Sequence, residues 1–439
     1  MVQTGGPLPA FIGVLILAFV FAMPVALMTT ELSTAFPENG GFVLWSRAAF
    51  GDAAGGVSGW LQFSLSCVDS ALYPGLFVAY LTQGLQAELG WTTQWAIQGG
   101  FIAALTGLNL LGVGNVGHSS AGMMLFLLLP FAVIVLLCVW GAFAGTTPNG
   151  WVFSTAHWGD VVAEPDWPKF MLVLLWNMGW WESASVLSGE VKDVAKVFPP
   201  ALAITVALAV LNYILPIAAF VGLDQDYAAY TNGYYIDIAN KVGGPFWSSW
   251  LGVSQCVSAA GLFTNGLVTN AFLVCGMGEQ GMVPTVFAWR FESTKAPAVA
   301  IFATLLVTVG VVLTGDFATV LAVDMLFYSV GLLIEISALF WLRHTQPHLE
   351  RPYKIPLDGV WLGLAFLPSV VICFFVIATA KYSQLIVAGV LLVLGVVVLV
   401  VFHYAREYRP EWFVGVAGVQ HIERLRPEEV GGKDSDSEH

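Results

Sequence analysis

Long, unbroken stretches of apolar residues recur along the whole chain, and polar residues are confined to short segments between them. A helix that crosses the hydrocarbon core of a bilayer requires about 20 mostly apolar residues. The stretches lack the apolar–polar alternation of a membrane barrel, and in lipid a helix satisfies its own backbone hydrogen bonds. We therefore predict an all-α integral membrane protein with eleven spans. They lie at roughly 8–30, 57–82, 95–111, 120–144, 169–189, 199–222, 247–277, 297–314, 317–342, 358–380 and 382–404.

The amino-acid composition supports this class. Hydrophobic residues make up 57% of the 439 residues and charged residues only 10%, whereas soluble domains average about 25% charged residues. All five cysteines fall inside predicted spans, where we interpret them as small apolar residues rather than a disulfide or metal framework. They are Cys67, Cys138, Cys256, Cys275 and Cys373.

Basic residues are distributed very unevenly over the predicted loops. One set of alternating loops, together with the C-terminal segment, carries 13 of the 16 Lys and Arg, and the other set carries only Lys169, Lys241 and Lys381. The positive-inside rule assigns the basic set to the cytoplasm. We therefore predict a transmembrane domain at 1–404 and a cytoplasmic tail at 405–439, which we expect to be disordered because it is polar.

The loops assigned to the outside are acidic. Such acids can raise the local concentration of cations near an entry path, or they can simply keep an outer loop polar. Both interpretations remain open at this point. The acids are Glu88, Asp160, Glu164, Asp166, Asp224, Asp226, Asp237 and Asp316.

Motifs for nucleotide, zinc or covalent chemistry do not occur in this sequence. The chain has no Gly-rich phosphate loop, no zinc-ligand spacing and no nucleophile elbow, which argues against an ATP-driven pump, an enzyme and a bound cofactor. Nothing indicates a nucleic-acid partner. A disulfide-linked partner is not expected either, since no cysteine lies in an outer loop.

Four carboxylates stand inside the predicted spans: Asp69, Glu182, Asp324 and Glu335, while Glu31 lies at the inner end of the first span. Ionisable residues in spans are costly and usually functional. No Lys or Arg lies deep in a span to pair with them. An unpaired carboxylate in an apolar environment favours its neutral form, so these acids suit a proton or a substrate ammonium group. This pattern is typical of a proton-coupled carrier for cationic solutes.

The fifth span concentrates the candidate chemistry. Gly179 lies between Asn177 and Glu182, and such residues weaken a helix and free backbone groups for ligands. We expect an unwound stretch here that brings Trp176 and Glu182 toward one cavity. A tryptophan face beside a carboxylate suits an alkylammonium group through cation–π attraction. Trp181 either lines that cavity or packs against lipid and neighbouring helices.

Two other spans contribute candidates. Asp69 precedes Tyr73 and Pro74, which supply a hydroxyl group and a predicted kink. Asp324 and Glu335 share the ninth span, eleven residues and three turns apart on one face. We expect one of these two to serve proton coupling and the other to lie near a membrane edge. The proton-coupling candidates are Asp69, Glu182 and Asp324.

Five segments resemble motifs of the amino acid–polyamine–organocation superfamily, most closely those of the polyamine:proton symporters of plants and protists, which are relatives of the L-type amino acid transporters. The resemblance runs from about residue 5 to about residue 404. The segments are 26–41, 69–74, 176–190, 276–284 and 351–356.

The resemblance implies a fold of twelve helices with two inverted five-helix repeats, and a substrate site between the broken first helices of the repeats. Glu182 matches a position where members that carry cationic amines hold an acid. Trp176 matches an aromatic residue that closes over substrate, and Asp69 matches an acid of the plant-type members. The resemblance also suggests a plasma-membrane location.

The chain departs from the family pattern in two places. Its start, near Gly5-Gly6-Pro7, resembles the loop that follows the first helix of the family, so the first broken helix is missing and about eleven spans remain. Either the gene model is truncated or the protein is an eleven-span form. In the eighth helix, Gly266 and Asn270 replace acids of the plant-type members, which puts selectivity for long polyamines in doubt.

Three functions follow as alternatives. The first is proton-coupled import of a polyamine such as putrescine or spermidine. The second is symport or exchange of amino acids, although the carboxylate site of a zwitterion would lie largely in the missing helix. The third is a nutrient receptor or inactive form that transports nothing.

Overall fold

The computed structural model describes residues 1–145, 154–313 and 317–414, without the side chains of residues 113–121, 123–125, 142 and 242. Every regular element in these ranges is helical. The α-helices are α1 (Val2–Gly5), α2 (Pro7–Leu17), α3 (Met23–Ala35), α4 (Phe42–Phe50), α5 (Asp52–Ser70), α6 (Leu72–Leu85), α7 (Trp91–Leu110), α8 (Val113–Ala144), α9 (Trp167–Met178), α10 (Val194–Val221), α11 (Tyr234–Gly243), α12 (Pro245–Glu279), α13 (Ala298–Val312), α14 (Phe317–Thr345), α15 (Gly359–Ala378) and α16 (Tyr382–Tyr408).

Seven helices in the described ranges are long and apolar enough to cross a membrane, which confirms the predicted class of helical membrane protein. Shorter apolar stretches occur at Phe126–Gly141 and Ala298–Val312, and the total of eleven spans stays a prediction. The last helix ends at Tyr408, beyond the predicted end at 404, and the tail from residue 415 lies outside the described residues. The seven helices cover Pro7–Ala35, Asp52–Leu85, Val194–Val221, Pro245–Glu279, Phe317–Thr345, Gly359–Ala378 and Tyr382–Tyr408.

Helix α14 lies at the centre of the bundle, and α16 lies at its periphery. The most apolar window of α14 is 67% buried, whereas that of α16 is only 11% buried. Helix α14 packs against α4, α5, α9 and α15. Large apolar side chains such as Val390 and Val397 point outward from α16, as the lipid-facing surface of a membrane helix requires. Polar groups on α14 are therefore the ones most shielded from solvent and lipid.

The second membrane-spanning helix is interrupted close to Asp69. Helices α5 and α6 meet at Ala71, whose N–H is shared between the carbonyls of Cys67 and Val68 at 3.2 Å each. This interruption falls in the turn before Pro74, which cannot donate a backbone hydrogen bond. The structure thus places the predicted disturbance of this span next to the candidate acid.

Several acids of the predicted outer loops have structural partners. Asp224 forms an ion pair of 2.6 Å with Lys241, and Asp160 accepts a hydrogen bond of 2.8 Å from a tyrosine hydroxyl. Asp166 caps the N-terminus of α9. Asp316 lies outside the described residues. These contacts favour the interpretation that the acids stabilise loops, rather than the one in which they concentrate cations.

The loop between α3 and α4 packs against a 3₁₀-helix at Trp181–Glu190. Glu190, the last residue of that helix, accepts hydrogen bonds of 2.9 Å from Asn39 and from Arg290. Gly41 has a positive φ of 42°, and a Cβ atom there would lie 2.0 Å from Oγ of Ser185. The close approach of the two segments therefore depends on the glycine.

We expect Gly41→Ala to lower the free energy of unfolding by about 1–3 kcal/mol, because the added methyl group is both strained and overpacked. Gly75→Ala is the matched control, since Gly75 is helical and a Cβ atom there meets no heavy atom within 4 Å. The measurement is the midpoint of thermal unfolding in detergent. Equal midpoints for the two variants would contradict the close packing at Gly41.

Candidate functional site

The fifth predicted span is broken in its middle, as the sequence predicts. Helix α9 ends at Met178, Gly179 is extended, and Trp180 adopts the left-handed region with φ of 73° before the 3₁₀-helix starts. The freed N–H of Trp180 donates to the hydroxyl of Tyr328 at 3.1 Å. A Cβ atom on Gly179 would lie 3.0 Å from the Tyr328 ring, so only glycine fits here without a shift. We call α9, this break and the 3₁₀-helix the broken helix.

Asp69 joins two of the predicted aromatic residues. The indole N–H of Trp176 donates to Oδ1 of Asp69 at 3.1 Å, and the hydroxyl of Tyr73 donates to Oδ2 at 2.7 Å. The three side chains come from the broken helix, α5 and α6. Asp69 is only 8% exposed. Both aromatic residues therefore hold the carboxylate in one orientation.

Asp324 on α14 lies close enough to Asp69 for the two carboxylates to interact electrostatically. It is fully buried, and neither of its oxygens has a hydrogen-bond partner in the part of the chain that the structure describes. A buried polar group without a partner is costly. We call Asp69 and Asp324 the aspartate pair. Its unused acceptors suit a ligand that brings donors and positive charge.

Glu182 and Glu335 form a second pair, which we call the glutamate pair. The hydroxyl of Tyr328 donates to Oε2 of Glu182 at 3.3 Å, and the amide of Gln62 donates to Oε1 of Glu335 at 2.8 Å. Glu335 is influenced electrostatically by Glu182, and its Oε2 has no partner among the described residues. Both carboxylates are at most 1% exposed. Both Asp324 and Glu335 lie on α14, whose apolar window is the most buried of the seven candidate spans in the described ranges, and the expected position of one of them near a membrane edge stays a prediction.

Two cavities flank the break in the broken helix. One, of about 330 Å³, is lined by Trp176, Asn177, Tyr213 and other residues of α10, α11 and α12. The other, of about 510 Å³, is lined by Asn177, Gly179, Trp181 and residues of α10. We call them the first and the second cavity. Asn177 borders both of them, and its amide donates to the carbonyl of Val173 at 2.6 Å.

The unwound stretch does not bring Trp176 and Glu182 into one cavity, so this expectation is wrong. Trp176 lines the first cavity. Within the described residues, Glu182 lines neither the first nor the second cavity. The break turns the chain so that Trp176 points toward α5 and Glu182 points toward α14. The predicted site therefore divides into two chemically distinct parts.

The two positions that depart from the family's eighth helix lie on α12, beside α5. A Cβ atom on Gly266 would lie 3.0 Å from Oγ of Ser70, and the amide of Asn270 donates to Sγ of Cys67 at 3.3 Å. Both positions therefore contact residues of α5 that lie within two positions of Asp69. The carboxylate that accompanies Asp69 comes from Asp324 on α14 instead.

Sequence reasoning did not single out Tyr328 or Gln62, which hold the glutamate pair. Neither residue is charged at neutral pH, so neither stands out among the rare charges of the spans. A usable signal existed for Tyr328, because it lies four residues from Asp324 and therefore on the same face of α14. Gln62 has no comparable local signal, since its partner is 273 residues away.

The ion cluster around Glu31 was also missed. Glu31 is fully buried, and Arg343 donates to its two oxygens at 2.9 and 2.5 Å. Arg351 lies 3.4 Å from Oε1, and the N–H of Ile355 donates to Oε2 at 2.8 Å. The cluster ties α3 to α14 and to the loop that follows α14.

Comparison with known proteins finds relatives along nearly the whole chain. The sequence profile of a family described as amino acid permease matches residues 1–402. A probable polyamine transporter of Arabidopsis thaliana is 32% identical over 395 residues, which cover 89% of this chain and 80% of that protein. A polyamine transporter of Oryza sativa is 32% identical over 411 residues, covering 93% and 75%. The human cystine/glutamate transporter is 22% identical over 402 residues, covering 88% and 77%.

Proposed function

Because this chain belongs to the amino acid permease family, we propose that it is a secondary active transporter that imports polyamines together with protons. Two relatives that are 32% identical over most of its length carry the name polyamine transporter. The substrates are small organic polycations of the putrescine and spermidine type. The membrane is the plasma membrane, as the resemblance to the symporters implies.

The aspartate pair is the observation that carries this proposal. Two buried carboxylates interact with each other, and Asp324 lacks any hydrogen-bond partner among the described residues. The charged residues that are buried inside the predicted spans of the described ranges, Asp69, Glu182, Asp324 and Glu335, are all acidic. An ammonium group of the substrate supplies the missing positive charge and up to three N–H donors.

The surroundings of the aspartate pair suit an alkylammonium group. Trp176 lines the first cavity and donates its indole N–H to Asp69, so a cation that enters this cavity meets the indole ring before it reaches the carboxylate. Attraction between a cation and an aromatic face contributes about 0.5–2 kcal/mol. Asn177 and Tyr213 add polar groups to the same lining. Gly179 and Trp181 line the second cavity on the other side of the break.

Proton coupling belongs to the proposal because the remaining carboxylates require neutralisation during transport. Asp69, Glu182 and Asp324 are the candidates that the sequence suggests, and all three are buried. Each positive charge that enters with the membrane potential gains about 2.3 kcal/mol per 100 mV. A proton gradient adds driving force to this gain, so a dication can be accumulated against its concentration gradient.

Uptake into proteoliposomes tests the proposed function. The purified chain is reconstituted with an inward proton gradient, and the uptake of radiolabelled putrescine, spermidine, arginine and leucine is compared. We expect saturable uptake of putrescine or spermidine that collapses when a protonophore is added. Uptake of leucine without uptake of either polyamine would overturn the assignment in favour of amino acid transport.

We expect Trp176→Leu to raise the KM for putrescine about 3- to 30-fold, which corresponds to the loss of a cation–π contact. Trp176→Phe keeps an aromatic face and should have a smaller effect. Trp361→Leu is the matched control, because Trp361 is 70% exposed on the outer face of α15. A KM that is equal in Trp176→Leu and in the control would remove Trp176 from the binding site.

A further inference from the structure

The glutamate pair plays no part in the proposed substrate site, although it is as deeply buried as the aspartate pair. We infer that Glu182 and Glu335 together form the site that carries the co-transported proton, with Glu335 as its principal residue. This inference rests on the proposed polyamine transport and assigns the coupled ion to a place separate from the amine. In each cycle, one carboxylate of the pair takes up one proton from one side and releases it to the other.

The size of the site selects a proton over an ammonium group. Glu335 is fully buried, Glu182 is 1% exposed, and neither lines the first or the second cavity within the described residues. Asp69 is joined to the first cavity by Trp176, which lines that cavity and donates to Asp69. By contrast, Tyr328 and Gln62, which donate to the glutamate pair, line neither of these two cavities. An alkylammonium group requires a cavity beside the carboxylate, but a proton fits on a carboxylate oxygen without additional space.

The electrostatics of the pair require a small cation. Two carboxylates in one apolar site cannot both stay charged unless a positive charge joins them. Among the described residues, three groups from other positions face the pair, and none of the three is basic. They are Gln62 on α5, Tyr328 on α14 and Cys373 on α15. Arg343, eight residues beyond Glu335 on α14, is already bound to Glu31.

Tyr328 connects the glutamate pair to the substrate site. Its hydroxyl accepts from the N–H of Trp180 at the break and donates to Glu182. Tyr328 also lies four residues, or about 6 Å along the helix axis, from Asp324. Amine binding near Trp176 can move the broken helix. Such a movement changes the hydrogen bond that Glu182 accepts from Tyr328. Amine binding and proton binding are thus linked through one side chain.

The test separates exchange of polyamine from net proton movement. Proteoliposomes with wild type or Glu335→Gln are assayed first for exchange of external labelled putrescine with internal putrescine, which requires no net proton transfer. They are then assayed with an internal pH-sensitive dye for acidification driven by external putrescine. We expect Glu335→Gln to retain exchange and to lose substrate-driven acidification by at least about tenfold. Glu292→Gln, which removes an exposed carboxylate, should resemble the wild type in both assays.

Each outcome supports or overturns a definite part of the scheme. If Glu335→Gln shows the same acidification per transported putrescine as the wild type, the inference is overturned. If Glu335→Gln does not purify as a folded protein, Glu182→Gln takes its place with the same expectation. A wild type that exchanges putrescine without acidification also overturns the inference, but it leaves polyamine transport intact. A wild type without any polyamine exchange overturns the proposed function itself.

Discussion

Replacement of Asp69 by Asn is expected to lower kcat/KM for putrescine by about 10- to 150-fold. A hydrogen bond to a charged group contributes about 1.5–3 kcal/mol, and each 1.4 kcal/mol corresponds to a factor of ten. Asparagine has nearly the same shape, and its carbonyl oxygen still accepts from Tyr73 or Trp176. The change therefore removes the negative charge that attracts the ammonium group while it disturbs the local packing little.

The measurement is the initial rate of radiolabelled putrescine uptake in proteoliposomes that contain equal amounts of folded protein. Glu292→Gln is the control for the loss of one carboxylate, because Glu292 is exposed. A kcat/KM for Asp69→Asn within about twofold of the control would exclude Asp69 from substrate binding. It would leave Asp324 as the only member of the aspartate pair that could receive the amine.

Replacement of Glu31 by Gln is expected to cause the largest loss of stability. Removal of one partner from a buried ion pair costs about 3–5 kcal/mol, because the other charge stays buried without compensation. Here Arg343 loses its buried bidentate partner and keeps the exposed Asp358 at 2.9 Å, while Arg351 loses its nearest carboxylate. The connection between α3, α14 and the loop after α14 is weakened at the same time.

The loss is measured as a decrease in the midpoint of thermal or urea unfolding in detergent. Glu407→Gln provides the matched control, since Glu407 lies 3.9 Å from His403 at the surface with 61% of its side chain exposed. Exposed ion pairs contribute little, so this variant should unfold like the wild type. If Glu31→Gln has the same unfolding midpoint as the control, solvent reaches the Glu31 cluster.

The position of the break in the fifth span could be predicted from local sequence. Gly179, with a polar residue on one side and an acid shortly after it, weakens helical backbone, and the structure shows the helix ending at Met178. The position of the break is a local property because it depends on neighbouring residues. The directions in which Trp176 and Glu182 point depend on α5 and α14, and the sequence contains no local signal for them.

The pairing of the four acids, in contrast, could not be predicted from local sequence. Asp69 and Asp324 are 255 residues apart, and Glu182 and Glu335 are 153 residues apart. The periodicity of α14 correctly places Asp324 and Glu335 on one face, three turns apart. It does not say which acid of another helix each one meets. The expectation of a single site with Trp176 and Glu182 failed for this reason.

By itself, the sequence was enough to predict that this protein is a bundle of membrane helices and that the charges deep inside its spans are acidic. Both conclusions follow from residue types alone, since lipid excludes unsatisfied backbone and makes every buried charge costly. Only the tertiary structure decided that the acids form two pairs, that Tyr328 stands between them and that Glu31 binds two arginines. These contacts join residues far apart in the chain, and helix packing, rather than any local pattern, brings such residues together.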